Sequence, residues 1–232
     1  LVAAGRRGVV LIPAFAVGRA QDVLYHLRSL QRENRLAPDL PIYLDSPMAV
    51  SAVDLYCEAL SEHDLEMTEL QSEGLCPIDG PSVRLVRDGR ESKALNDRTG
   101  PMVIVSASGM LTGGRILHHL KRRLPDPATT LLFVGFQSEG TLGRRILEGA
   151  REVMIHGQSV KVEADVQELP ALSAHADQRG LLEWAGAMPE PPRAAYLVHG
   201  EPAAREALAN GLKSLPGWTA VLPEEGESVE LK

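Results

Sequence analysis

Four times between residues 8 and 147 the sequence repeats one unit: a β-branched apolar run, a loop of small residues, and a helix with apolar residues at three- and four-residue spacing. That repeat is the signature of a parallel α/β sheet with crossover helices. The first unit is Gly8-Val9-Val10-Leu11-Ile12, the loop Pro13-Ala14-Phe15-Ala16, and a helix through Val23, Leu24, Leu27 and Leu30. The second is Pro41-Ile42-Tyr43-Leu44 followed by Asp45-Ser46-Pro47, where Ser46 can cap and Pro47 takes the first position of a helix reaching Leu60. The third is Met102-Val103-Ile104-Val105, the loop Ser106-Ala107-Ser108-Gly109-Met110, and a helix from Gly113 to Leu124. The fourth is Thr130-Leu131-Leu132-Phe133-Val134, the loop Gly135-Phe136-Gln137-Ser138-Glu139-Gly140, and a helix through Leu142, Ile146 and Leu147.

Elsewhere the period changes. Residues 61–100 are polar and punctuated by Gly and Pro, with only short helical or extended pieces, and read as an excursion over the surface. From Glu152 to Leu169 apolar residues alternate around His156-Gly157-Gln158, which predicts a hairpin at a sheet edge. A boundary falls near residue 170. Beyond it the pattern predicts a helix over Gly180–Ala187, a buried strand over Arg193–Val198, a helix over Ala203–Leu215 and a short terminal hairpin over Val221–Leu231.

Composition narrows the function classes. The 232 residues suffice for one large domain or two small ones, and no apolar run is long enough to cross a bilayer, so the chain is expected to be soluble. Lys and Arg number 24 against 31 Asp and Glu, for a net charge of -7. Any nucleic-acid site must therefore be a local basic patch. Cys57 and Cys76 cannot build a disulfide framework, have no CxxC spacing, fit a reducing compartment and are expected to be buried or idle. The start, Leu1-Val2-Ala3-Ala4-Gly5-Arg6-Arg7, has neither an initiator Met nor a targeting pattern, which reads as a piece of a longer, cytoplasmic chain.

Loops at the carboxyl ends of parallel strands gather on one edge, where helix amino termini favour anions. Ser106-Ala107-Ser108-Gly109 and Gly135-Phe136-Gln137-Ser138 are the candidates, although any such turn needs small residues. Arg115, Lys121, Arg122, Arg123, Arg144 and Arg145 could form a positive stripe beside them, or a solvated helix face with Lys121–Arg123 favoured near a helix end. Asp45 reads as an acceptor for the turn that follows it, since a carboxylate facing bound anions at this edge would repel them. His199, after Ala194-Ala195-Tyr196-Leu197-Val198 and before Gly200-Glu201, sits where a strand ends, a good position for a metal ligand. His175 lies in Leu172-Ser173-Ala174-His175-Ala176-Asp177, ahead of a helix that Asp177 could cap. His118 and His119 are adjacent on a helix and face different ways, His26 and His63 do not complete a metal site by spacing, and no HxHxDH, HExxH or CxxC pattern occurs. Spacing alone thus gives no complete metal site.

Six ordered motifs, spread over residues 8–230, resemble those of the β-CASP nucleases: Ile12-Pro13-Ala14-Phe15-Ala16-Val17-Gly18-Arg19-Ala20-Gln21, Tyr43-Leu44-Asp45-Ser46-Pro47-Met48-Ala49, Ser108-Gly109-Met110-Leu111-Thr112-Gly113-Gly114-Arg115, the run Gly135–Arg144, Leu172–Asp177 and Val198-His199-Gly200-Glu201-Pro202. These are metallo-β-lactamase-fold hydrolases with an RNA-specificity segment, similar to the cleavage-and-polyadenylation endonuclease and its prokaryotic relatives. The resemblance implies an α/β architecture, with residues 1–170 a parallel-sheet β-CASP domain and 171–232 the returning part of a metallo-β-lactamase αββα domain. It implies that His175 protonates the leaving oxygen and that His199 binds zinc, with Asp177 and Glu201 in support. Ser106, Ser108, Gly109, Arg115 and Arg144 would hold phosphates of single-stranded RNA. Two zinc ions would need further ligands from a missing amino-terminal metallo-β-lactamase half, so the chain alone is expected to be inactive. Members of the family often pair, which raises a homodimer through the terminal hairpin. The competing readings are a DNA nuclease of the interstrand-crosslink repair type, a non-catalytic RNA-binding or scaffold module, and a Rossmann-like nucleotide- or sugar-binding domain. The last leaves both histidine motifs unexplained and has no GxGxxG after the first strand.

Overall fold

Strands that are apolar at every position need cover on both faces, and a parallel sheet between two helical layers supplies it. The computed structural model describes residues 8–63, 67–68, 76–172 and 175–230. The main strands are β1 (Val9–Pro13), β2 (Ile42–Asp45), β3 (Val83–Leu85), β4 (Met102–Ser106), β5 (Thr130–Phe133) and β8 (Asp165–Glu168). They form one sheet in the order β3-β2-β4-β1-β5-β8, and every neighbouring pair is parallel. The expected α/β class and parallel sheet are what the chain adopts. β6 (Glu152–Ile155) and β7 (Gln158–Lys161) form a separate antiparallel hairpin, closed by His156 and Gly157 at φ of 50° and 72°.

Side chains alternate across the sheet with a period of two, so each central strand feeds two cores. On one face Val10, Ile12, Val103 and Val105 pack with Val23, Leu24 and Leu27 of α1 (Arg19–Arg32) and with Val50 and Val53 of α2 (Pro47–Glu58). On the other Val9, Leu11, Ile104 and Phe133 pack with Ile116 and Leu120 of α4 (Ile116–Arg123), Ile146 of α5 (Leu142–Leu147) and Val153, Ile155 and Val160 of the hairpin. Each such side chain, fully buried, contributes about 1.5–3 kcal/mol. α2 starts as its sequence dictates, with Pro47 in the first turn and the Ser46 hydroxyl accepting from the Ala49 N–H.

β1 leads into a helix on one face and on to β2, whereas the adjacent β4 leads into a helix on the opposite face and on to β5. The chain therefore departs to opposite faces from β1 and β4, the place in an open parallel sheet where the loops at the carboxyl ends ordinarily hold ligands.

Several expectations are corrected. Residues 83–97 are no mere surface excursion: Val83–Leu85 pairs with β2 as the sheet's edge strand, and α3 (Gly89–Asp97) follows, capped by the Asp88 side chain. The alternation after Gln158 does not continue as one hairpin, because Asp165–Glu168 joins the main sheet beside β5. The cysteines are not idle, since Cys57 and Cys76 form a disulfide across 19 residues of sequence.

The chain divides into two compact units, Leu1–Ser173 and Ala174–Lys232. In the second, α6 (Gln178–Gly186) and α7 (Pro202–Lys213) lie with two short parallel strands, β9 (Ala195–Tyr196) and β10 (Ala220–Val221). Its core is small: Ala185, Ala209, Leu212 and Ala220, with Leu182, Leu197 and Trp218 partly buried around them. The predicted buried strand over Arg193–Val198 shrinks to Ala195–Tyr196, and Val198 is 67% exposed, because β9 has one strand neighbour among the described residues. The predicted terminal hairpin is also absent from the described part of that segment, where β10 pairs in parallel with β9 instead.

The disulfide yields a stability prediction. Without reductant, the unfolded protein should show no free thiol, and Cys57→Ser with Cys76→Ser should cost about 3 kcal/mol in denaturant unfolding, as expected for a loop of this size. Two titratable thiols in the untreated protein would refute the linkage.

Candidate functional site

The carboxyl end of β2 carries a fully buried charge. Asp45 has no solvent exposure, and isolation of a carboxylate there would be prohibitive without donors. It has three. Ser92 Oγ of α3 donates to Oδ2 at 2.6 Å, Arg115 Nη1 donates to Oδ1 at 2.8 Å, and His119 Nε2 of α4 lies 2.6 Å from Oδ2. The Asp45 carbonyl in turn accepts from Ser106 Oγ of β4 at 2.8 Å. Burial pushes the Asp45 pKa up, but the hydrogen bonds from His119, Ser92 and Arg115 outweigh it and hold the carboxyl below its ordinary value. The expected acceptor role is thus right in kind and wrong in partners: the donors to the carboxylate come from α3, α4 and the α4 amino terminus, not from the turn that follows. The three donors lie 47 to 74 residues away in sequence, so local reading could not find them.

Arg115 spends further donors on the carbonyls of Val86 and Arg87, at 3.1 and 3.2 Å, which draws the loop after β3 toward the β2 edge. Of the tandem histidines, His119 points into the core and His118 outward, as adjacent helix positions require. Arg123 also turns inward, donating to the carbonyls of Leu95 and Arg98 at the end of α3, so it leaves the positive stripe.

The loop after β4 is built tightly. Ser108 Oγ accepts from the Thr112 N–H at 3.0 Å and lies 3.1 Å from Thr112 Oγ1. Gly109 lies against the loop after β1, where a Cβ would stand 3.1 Å from Phe15 N and 3.2 Å from Phe15 Cδ2. Gln137, from the loop after β5, locks this arrangement: its Nε2 donates to the carbonyls of Gly109, Gly135 and Phe136 at 3.0, 3.0 and 3.2 Å. Gly143 makes room for that amide, because any Cβ there would run into Gln137 Oε1. Arg144 donates to Glu148 at 2.6 Å and to the Gln137 carbonyl at 3.4 Å. Ser108, Gly109, Arg115, Arg144 and the buried Ser106 thus share one edge of the first unit, at the point where the chain diverges.

Comparison with known proteins fits this architecture. The Beta-Casp domain model matches residues 20–146, more than half of the chain. The chain belongs to the Beta-Casp family. A second model, the Zn-dependent metallo-hydrolase RNA specificity domain, matches residues 159–223. Ribonuclease TTHA0252 of Thermus thermophilus is 43% identical over 222 residues, covering 96% of this chain and 50% of that protein. Transcription termination factor FttA of Thermococcus kodakarensis is 34% identical over 234 residues, covering 98% of this chain and 36% of that protein. An RNase J-like protein of Methanocaldococcus jannaschii is 33% identical over 194 residues, covering 84% and 43%. The chain spans half or less of the length of these curated relatives.

In this Beta-Casp chain the two motif histidines both fall in the second unit and both are exposed. His175 precedes α6, whose first turn Asp177 caps by accepting from the Gly180 N–H at 2.8 Å. His199 follows β9 and precedes Glu201 at the start of α7. The zinc in the second model's description prompts a test of fit. Among the described residues no group of three His, Cys, Asp or Glu side chains comes together that could hold a metal ion. His199 can offer one imidazole, but these residues do not make up a zinc centre. No described helix is long and apolar enough to cross a membrane.

Asp45 gives a pH-dependent prediction. A carboxyl whose folded pKa is lowered stabilises the fold above its unfolded value near 3.9, and that contribution disappears as pH falls through the folded pKa. Asp45→Asn, which leaves Arg115 without its counter-charge, should cost about 3–5 kcal/mol at pH 7 in urea unfolding. The cost should shrink as pH falls below about 4. An equal cost at pH 7 and pH 3 would show that the charge contributes nothing.

Proposed function

We propose that this chain is the RNA-holding, carboxyl-terminal part of a zinc-dependent endoribonuclease, residues 1–170 serving as its β-CASP domain and 171–232 as the returning segment of its metallo-β-lactamase domain. The observation that carries this reading is the succession, in one chain, of a Beta-Casp match and an RNA-specificity match that encloses both His175 and His199. Relatives named as ribonucleases align over nearly the whole chain and extend well beyond it. The unfinished look of the second unit supports the same reading. Parallel strands are ordinarily covered on both faces and by neighbours, yet β9 and β10 are two residues long with Tyr196, Val198 and Leu222 exposed around them. Further strands from an amino-terminal half would complete such a sheet.

In this reading the first unit holds RNA phosphates at the edge carrying Ser108, Gly109 and Arg144. Arg115 and Ser106 act mainly from beneath, through Asp45. When bound, two zinc ions would supply an activated hydroxide and neutralise the scissile phosphate, with most of their ligands outside the described residues. His199 would offer one imidazole to such a centre. His175, exposed and carried by a turn that Asp177 anchors, delivers a proton to the departing oxygen. A DNA nuclease and a non-catalytic scaffold are the alternatives; the presence of both histidines argues against the scaffold, and the RNA-specificity match argues against the DNA nuclease.

The test compares this chain with the same chain extended upstream to its natural start. The extended form should carry about two zinc ions and cut single-stranded RNA. His199→Ala should then lose zinc and cleavage together. His175→Ala should keep zinc and slow cleavage by roughly 10²–10⁴-fold. An extended protein that binds RNA without metal or cleavage makes the chain a binding module, and equal zinc loss in both variants removes the division of roles.

A further inference from the structure

The sequence contains only three phenylalanines, and the structure divides them sharply. Phe133 is wholly buried, whereas Phe15 and Phe136 are 47% and 51% exposed. A single exposed apolar residue needs no explanation, but clustered ones on a soluble surface mark a binding site. Here both rings issue from the carboxyl ends of adjacent strands, Phe15 after β1 and Phe136 after β5. Between them run the contacts already described, with Gly109 against the Phe15 ring and Gln137 bonded to the carbonyls of both Gly109 and Phe136. Met48, after β2 on the far side of β4, is also 66% exposed.

We propose that Phe15 and Phe136 form a stacking platform for nucleobases of single-stranded RNA, flanking the polar Ser108-Gly109 loop. This rests on the functional reading above and adds how the bases, as distinct from the phosphates, are held. The chemistry of the edge favours this occupant. A single strand offers alternating anionic phosphates and flat apolar rings, and the edge carries the Ser108 hydroxyl and Arg144 alongside two exposed aromatic side chains. In a chain of net charge -7 long-range attraction to RNA is weak, which leaves affinity to local contacts, those with the bases included. The rings are also held in place without being covered. Gly109 supports Phe15 from the side, and the Gln137 amide fixes the backbone of Phe136, so ordering them on binding costs little.

The experiment uses the chain extended to its natural start and measures fluorescence anisotropy with two probes of equal length: a single-stranded oligoribonucleotide and its abasic counterpart. Phe15→Ala and Phe136→Ala should each weaken the base-bearing probe by roughly 5- to 150-fold and leave the abasic probe and the salt slope unchanged. Phe15→Trp and Phe136→Trp should restore binding, and the introduced indole should be quenched by the RNA. If the wild type binds both probes equally, the platform is refuted while the RNA reading stands. If it binds neither, the functional reading falls and the platform falls with it. If the alanine variants lose both probes together with thermal stability, the rings face protein, and the proposal is overturned.

Discussion

A carboxylate sealed from water at the end of β2 governs how the first unit's carboxyl edge is assembled. Asp45 can exist there only with its donors in place, and those donors come from separate segments: Ser92 on α3, Arg115 at the start of α4 and His119 within α4. The charge therefore works as a clamp. It fixes α3 and α4 against β2, and beside it the Ser106 hydroxyl, bonded to the Asp45 backbone carbonyl, ties β4 to β2 at the level where the loops leave the sheet. Hydrophobic burial sets the layers, but it is nearly indifferent to small slips along the strands. A buried charge with directional donors is not indifferent, and it sets the height at which every loop of the edge emerges.

The second unit shows the opposite situation. Among the described residues its core amounts to four buried side chains, three of them alanines, with a two-residue strand pair beside them. A unit of this size with so little apolar burial is marginal alone. The short strands follow from that, since a strand with one partner and a solvated side gains little by extending. The same poverty leaves both motif histidines exposed among the described residues.

Much of the first unit was legible in the sequence. Strands that are apolar throughout, Ser46-Pro47 at a helix start and the two-residue turn at His156-Gly157 all act locally, and each was realised. The third and fourth loops were likewise recognisable as loops that leave the same edge of the sheet, where Gln137 bonds one to the other. What escaped was non-local. Nothing near Asp45 announces Ser92 or His119, and nothing near Arg123 announces the carbonyls of Leu95 and Arg98. The Val83–Leu85 strand is too short to show a period, and the pairing of Cys57 with Cys76 depends on a return of the chain that spacing cannot reveal. A basic residue in sequence also says nothing of its direction: Arg123 caps a neighbouring helix and Arg115 serves a buried acid.

Gln137 and Gly143 carry a consequence of another kind. The amide fills the space that a side chain at 143 would occupy, and three backbone carbonyls depend on that amide. Enlarging residue 143 evicts the glutamine, and shortening residue 137 leaves the carbonyls without their donor and a hollow beside the glycine. The two positions therefore form a single unit of change: a variant at either one is damaging alone, and a workable alternative must be reached by altering both at once.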